Sequence, residues 1–238
     1  VLSGNDPRKG RIEMATRKPL IVGVGGTLRD GSTSERALRL ALKAAAEMGS
    51  ETEIFAGSAI NLPPYDPSNP QRTPEARALV EAIRRADGVI VASPGYHGSI
   101  SGLLKNAIDY TEDLRTDSRI YLSERAIGFI VCADGIQAMG STLNTLRSIA
   151  HALRAWPTPF AAIVNSSTRP FGPDGTCEST EVEQSIRLVA AQVMEFAQMK
   201  CDAEQALSRK SEPQAAVVSS TELSERMAAM EITFRLMG

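Results

Sequence analysis

Cysteine is scarce in this chain: three residues in 238, Cys132, Cys177 and Cys201. They are widely spaced and odd in number, so they build neither a disulfide framework nor a zinc or dithiol motif, and the usage fits a reducing compartment. Histidine is scarcer still, with only His97 and His151. A formal net charge of -2 leaves no overall field that would favour nucleic acid or an anionic membrane surface. No apolar run approaches the length that crosses a bilayer; the longest, 126–133, suits a buried strand. No secretory-type apolar segment stands near the start either. The expectation is a cytoplasmic protein with no membrane and no nucleic-acid partner. No Pro/Gly/Ser-rich linker interrupts the middle, so one well-buried domain with extensions is preferred over two small ones.

Against those absences stands Val22-Gly23-Val24-Gly25-Gly26-Thr27-Leu28-Arg29-Asp30-Gly31-Ser32-Thr33-Ser34-Glu35. An apolar run passes into a Gly/Ser/Thr loop with one arginine, and the loop opens into a helical pattern. Backbone N–H groups, hydroxyls, a helix N-terminus and a fork-shaped cation together make a phosphate cradle. A nucleoside-triphosphate loop would need lysine followed by Ser/Thr after its last glycine. A dinucleotide fingerprint would need G-x-G-x-x-G, whereas Gly23-Val24-Gly25-Gly26-Thr27-Leu28 ends in leucine. A monophosphate is the simpler guest. The same residues also read as an ordinary strand-to-helix turn, with Ser32 as cap and Glu35 completing a capping box.

Apolar runs and helical patterns alternate regularly along the chain. Strands are expected at 20–24, 51–56, 88–93, 126–132 and 159–164, and helices at 33–48, 74–86, 101–114, 140–153 and 179–199. Asn61-Leu62-Pro63-Pro64-Tyr65-Asp66 must be loop, because two prolines forbid a regular element there. Strands without in/out alternation, separated by amphipathic helices, imply an α/β fold: a doubly wound five-stranded parallel sheet covered on both faces. Ligands in such folds sit beyond the carboxyl ends of the strands at the switch point, so the loops after strands one, three and four are the ones to read for chemistry.

Three segments follow from this pattern. Residues 1–18 form an N-terminal arm with a local excess of basic residues, and 1–13, ahead of Met14, read as an extension upstream of the fold. Residues 19–202 form the sheet domain. Residues 203–238 form a tail in which Leu223, Met227, Met230, Phe234 and Met237 recur at helical spacing, with Ser219 and Glu222 placed as a capping box. The tail is expected to be an extra C-terminal amphipathic helix serving as a packing seam for oligomerisation.

After the third strand comes Ser93-Pro94-Gly95-Tyr96-His97-Gly98-Ser99-Ile100-Ser101-Gly102-Leu103-Leu104-Lys105-Asn106-Ala107-Ile108-Asp109-Tyr110. Its glycines leave backbone free to bond a flat heteroaromatic, and Tyr96 offers a ring. After the fourth strand, Ala133-Asp134-Gly135-Ile136-Gln137-Ala138-Met139-Gly140 supplies another glycine-containing turn at the same end of the sheet. For Tyr96 and His97 simple loop packing is the plain alternative. His151 falls on the apolar side of its helix and reads as structural.

The first of these loops, taken with Ser93-Pro94-Gly95-Tyr96 and Gly102-Leu103-Leu104-Lys105-Asn106-Ala107-Ile108-Asp109-Tyr110, resembles the NAD(P)H-dependent FMN reductase family of the flavodoxin-like fold, over about residues 19–200. The resemblance implies that Thr27, Arg29, Ser32, Thr33 and Ser34 hold the FMN phosphate. It implies that Pro94, Gly95, Tyr96 and His97 form the ring loop, with Asp134 and Gly135 on the ring's other side. Four positions depart from the family's usual pattern. Asparagine is common where Ser34 stands, and many quinone- and metal-reducing members carry glutamate and asparagine in place of Gly95 and His97. Serine is common at the position of Thr27, a near-neutral exchange.

The activity implied is hydride transfer from NADPH or NADH to FMN. The flavin would carry the chemistry, so no catalytic acid, base, nucleophile or metal is assigned. Reduced FMN would then supply a flavin-dependent monooxygenase. The alternatives are a reductase with fixed FMN acting on quinones, azo dyes or metal oxyanions, and a flavodoxin-type electron carrier, against which Arg29 and the near-zero charge both count. The resemblance also implies a homodimer or homotetramer paired through the helix at 101–114, where Leu103, Leu104, Ala107, Ile108 and Leu114 give more apolar surface than one sheet face needs.

Overall fold

The computed structural model describes residues 17–211. β1 (Leu20–Val24) is buried along its whole length and leads into α1 (Thr33–Glu47), whose cap is Ser32, with Oγ accepting from the Glu35 N–H at 3.3 Å. The box closes one residue early: Glu35 Oε2 accepts from the Gly31 N–H at 2.8 Å. β2 (Glu51–Phe55) follows. α2 (Pro74–Arg85) starts with proline in its first turn behind a capping Thr73, where the missing N–H costs no intrahelical bond. Then come β3 (Gly88–Pro94), α3 (Gly102–Asp109), β4 (Ala126–Ala133), α4 (Ile136–Ala152), β5 (Trp156–Pro157), β6 (Ala162–Asn165) and α5 (Thr180–Ser211).

The sheet is parallel throughout, in the order β2-β1-β3-β4-β5, with β6 also on β4. Chain direction across the sheet reverses between β1 and β3, which places the switch point there. One face packs Val22, Val89 and Phe129 against α2, α3 and α4. The other packs Ile21, Ile90 and Ile130 against α1 and α5. Helix–strand approach on that second face is close enough that a Cβ on Gly23 would lie 2.6 Å from Leu42, and one on Gly128 2.6 Å from Val189.

The amino end of the sheet is held by two buried polar groups. Asp87 accepts from the Leu20 N–H at 2.8 Å and from both Arg17 Nη atoms at 2.7 and 2.8 Å. Arg125 is fully buried and donates to the carbonyls of Arg84, Ala86, Tyr121 and Ser123 at 2.8–3.2 Å. Burial pushes its guanidinium down to about 10, and carbonyl oxygens rather than a carboxylate hold its charge.

On the α3 side, Asn106 ties down the proline-containing loop, accepting from the Tyr65 N–H at 2.8 Å and donating to the Pro63 carbonyl at 2.9 Å. Arg72 forks onto Asp113 at 2.7 and 2.9 Å, with its guanidinium carbon 4.9 Å from the centroid of the Tyr65 ring. The Arg72 bonds hold the Asp113 carboxyl below the usual carboxylate range.

Several expected elements differ in extent. The fifth strand is broken into β5 and β6, because prolines at 157 and 159 supply no ladder N–H. The helix expected at 101–114 is α only to Asp109 and tightens into a 3-10 turn at Tyr110–Leu114, a distinction apolar spacing cannot make. α4 starts four residues before Gly140, which lies inside the helix rather than at its start. α5 runs on to Ser211, past the expected 199. His151 is exposed in the last turn of α4, not on its apolar side.

The surplus apolar surface expected on the helix at 101–114 is largely used within the chain. Leu104, Ala107 and Leu114 are buried against the sheet, and only Leu103 and Ile108 remain half-buried. The arm at 1–16 and the amphipathic pattern from Ser219 to Met237 lie outside the described residues. No helix among the described residues is long and apolar enough to cross a membrane.

Candidate functional site

A cleft of about 450 Å³ opens at the carboxyl end of the sheet, walled by the loops after β1, β3 and β4. This volume lies within the range of small-molecule and cofactor sites. From the β1 loop it takes Thr27, Arg29, Ser32, Thr33 and Ser34; from the β3 loop Pro94, Gly95 and Tyr96; from the β4 loop Asp134 and Gly135. His97 is the one expected site residue that does not line it.

The β1 loop is wedged in place. Its Gly25 N–H donates to the Phe55 carbonyl at 2.8 Å, and a Cβ on Gly25 would stand 2.9 Å from that of Ala56. On the other side, a Cβ on Gly26 would meet Pro94 Cδ and Ser101 Oγ at 2.9 Å and the Ala92 carbonyl at 3.2 Å. The β1 and β3 loops therefore meet at Gly26, where a side chain would force one of them to shift. Thr27 Oγ1 accepts from the Arg29 N–H at 3.1 Å, shaping the turn. The Arg29 guanidinium makes no bond to any described residue and is exposed at the cleft.

Glu35 takes the Gly31 N–H and is itself bonded by Arg39 at 2.7 and 2.9 Å. The donors left for an anion are Arg29, the first-turn N–H groups of Thr33 and Ser34, which have no intrahelical partner by position, and the loop hydroxyls. Ser32 Oγ and Ser34 Oγ lie 3.4 Å apart and are buried. One fork-shaped cation, two backbone donors and clustered hydroxyls suit a single phosphate.

The β3 loop is a two-residue hairpin. Tyr96 and Ser99 exchange backbone bonds at 2.9 and 3.0 Å, and between them His97 and Gly98 have φ of 51° and 81°. Positive φ at both central residues is the type I′ requirement, and histidine is among the side chains that tolerate it. His97 thus serves the turn and is exposed at its tip. Tyr96 remains 54% exposed at the cleft's edge.

Gly95 backs onto α4: an added Cβ would lie 3.0 Å from Thr142 Oγ1, 3.1 Å from Ala133 Cβ and 3.4 Å from the Ala138 carbonyl. α4 itself begins one residue after Gly135, which offers no side-chain cap, so its first N–H groups are left for a ligand or water at this rim.

Residues missed from sequence also line the cleft: Cys132, Ala133, Ala138 and Ser166. Cys132 is buried, and burial pushes its thiol up to about 12, so it is a wall and not a nucleophile. Ser166 belongs to the 3-10 turn Ser166–Thr168 after β6. The signal was present as Asn165-Ser166-Ser167-Thr168 at a strand's carboxyl end, where Asn165 Oδ1 accepts from the Ser167 N–H at 3.0 Å.

Sheet order and switch point define a flavodoxin-like α/β protein with an open cleft at the carboxyl end of its sheet. The family of NADPH-dependent FMN reductases matches residues 19–168, and the chain belongs to that family. Curated relatives include FMN-dependent NADPH-azoreductases of Staphylococcus aureus, 32% identical over 120 residues, half of this chain and 60% of theirs. The chain thus spans about 60% of the length of the curated relatives it matches.

Among solved structures, the flavoenzyme NAD(P)H:(acceptor) oxidoreductase FerB of Paracoccus denitrificans superimposes with a TM-score of 0.61 at 18% identity, covering 76% of this chain and 98% of that one. An NADH:FMN oxidoreductase in its apo form gives 0.55 at 21%, covering 74% and 90%. A WrbA-like flavodoxin protein from Agrobacterium tumefaciens gives 0.54 at 15%, covering 77% and 99%. At such identities these structures establish the fold.

Proposed function

We propose that the chain is a cytoplasmic NAD(P)H-dependent FMN reductase, with the FMN phosphate in the β1 loop and the ring between the β3 and β4 loops. The observation that carries this reading is Arg29: an unpartnered guanidinium beside free first-turn N–H groups and three hydroxyls, in a cleft whose far wall is backbone and an exposed tyrosine. When bound, FMN supplies the two-electron acceptor for a hydride from NADPH or NADH. The chain's own residues bind and orient. Arg29, Thr33 and Ser34 fix the phosphate end, Gly95 gives the ring flat backbone with no side chain in the way, and Asp134 with Gly135 close the opposite side.

The test compares FMN with riboflavin by fluorescence quenching. FMN should bind much more tightly, because the missing phosphate removes charge-assisted bonds worth about 1.5–3 kcal/mol each. Arg29→Ala should weaken FMN binding by about ten- to a hundredfold, with Arg29→Lys recovering part. Equal riboflavin and FMN affinity would overturn the site assignment.

Release of reduced FMN to a flavin-dependent monooxygenase is favoured by the openness at Gly95 and Tyr96, and is tested by saturation of the rate with added FMN. A reductase with retained FMN acting on azo dyes, quinones or metal oxyanions is the second reading, favoured by the azoreductase relatives; retention of flavin through repeated turnover would select it. Leu103 and Ile108 remain available for pairing of α3 in a homodimer or homotetramer, and the tail from Ser219 to Met237 is assigned to the same assembly. Light scattering at micromolar concentration checks this, and a single monomeric species rules it out.

A further inference from the structure

Two arginines stand apart from all others whose side chains are described. Every other one is bonded or ion-paired, or lies over a ring. Arg29, in the cleft, and Arg169 have no partner among the described residues. Arg169 follows the turn Ser166–Thr168 with φ of 48°, its N–H donating to the Ser166 carbonyl at 3.1 Å. It lines a second groove of about 510 Å³ together with Asn165, Thr168, Glu178, Ser179 and Glu181. Ser166, from the same turn, lines the first cleft. The two cavities therefore share one turn at the carboxyl end of β6.

We propose that this groove seats the adenosine diphosphate arm of the hydride donor, with Arg169 pairing with the diphosphate; the inference rests on the reductase reading above. A donor that lays its nicotinamide in the cleft must carry its diphosphate out over a rim, and at this rim the uncommitted fork-shaped cation is Arg169, Arg29 being engaged by the FMN phosphate. A diphosphate is the anion a guanidinium fork suits. Glu178 and Glu181 bring two negative charges to the same groove. Carboxylates there accept ribose hydroxyls and oppose a further phosphate on the ribose. The donor arm fitting the groove is thus ADP-ribose without a 2′-phosphate, which makes NADH the preferred donor.

The experiment titrates the full chain calorimetrically, with and without bound FMN, using ADP-ribose and 2′-phospho-ADP-ribose. ADP-ribose should bind more tightly than its phosphorylated counterpart, and Glu181→Gln should narrow the difference. Arg169→Ala should lower ADP-ribose affinity about tenfold or more, raise KM for NADH with kcat kept, and leave FMN affinity as in the wild type, which also verifies the fold. Arg169→Lys should recover part of the loss. Unchanged ADP-ribose affinity in Arg169→Ala, absence of ADP-ribose binding by the wild type, or tighter binding of the phosphorylated form would overturn the proposal. Failure of the reductase reading is separate and visible first: the wild type would neither bind FMN nor oxidise NADH or NADPH.

Discussion

Gly26→Ala probes the contact on which the cleft is built. The added Cβ would stand 2.9 Å from Pro94 Cδ, 2.9 Å from Ser101 Oγ and 3.2 Å from the Ala92 carbonyl. None of these is the far end of a flexible chain: one is a fixed ring, one caps α3 by accepting from the Leu104 N–H at 3.1 Å, and one is backbone of a buried strand. The β1 loop cannot retreat, because Gly25 is pressed against Ala56 and bonded to Phe55. Overpacking costs about 1–3 kcal/mol in general, and rigid neighbours on both sides put this site at about 2–3 kcal/mol. For a domain of this size that is a fall in Tm of about 4–12 °C.

Because relief must come from parting the β1 and β3 loops, which the proposed function assigns to the FMN phosphate and ring, FMN affinity should fall by about tenfold or more as well, the equivalent of about 1.4 kcal/mol or more. Calorimetric melting of flavin-free protein and FMN titration measure the two effects. Arg29→Ala is the control: it removes an exposed, unpartnered side chain, so affinity should fall while flavin-free melting stays put. A Gly26→Ala protein with wild-type melting and wild-type FMN affinity would refute the wedge.

Gly140→Ala should do the reverse, since Gly140 is exposed inside α4 with nothing within 4 Å of an added Cβ; a gain of about 0.5–1 kcal/mol is expected from denaturant unfolding. Arg125→Met should cost about 3–5 kcal/mol, because a buried donor to four carbonyls is removed at once and only the Ala86 carbonyl keeps another, Arg119, and a melting temperature near wild type would show that water replaces it freely. Asp113→Asn should cost about 1–2 kcal/mol at neutral pH by weakening the Arg72 fork. The folded carboxyl lies below its unfolded value of about 3.9, so this contribution is present above that value and lost as pH falls through the lowered one. Unfolding free energies of the two proteins should therefore converge in acid, and a gap independent of pH would exclude the ion pair as its source.

The sequence by itself determined the alternation of elements, the parallel sheet and the three loops that wall the cleft. β1 is the clearest instance: five apolar or glycine residues ending in a Gly/Ser/Thr turn can only be a strand buried on both faces, with its loop at the carboxyl end. Ser32 was legible as a cap for a local reason, since its acceptor meets an N–H three residues on. Tertiary structure decided what depends on neighbours distant in sequence.

The pair His97–Gly98 resembles site chemistry in a linear reading, yet the hairpin between Tyr96 and Ser99 makes the histidine a turn residue at the tip. The fifth strand looked continuous because apolarity does not register which N–H a neighbouring strand needs; its prolines split it into β5 and β6. Ser166 came to the cleft only because β6 pairs with β4 and delivers its turn beside the β4 loop. Local capping and periodicity are written within a few residues of themselves, whereas the meeting of Gly26 with Pro94, or of Gly95 with Thr142, is fixed by the sheet that holds both ends.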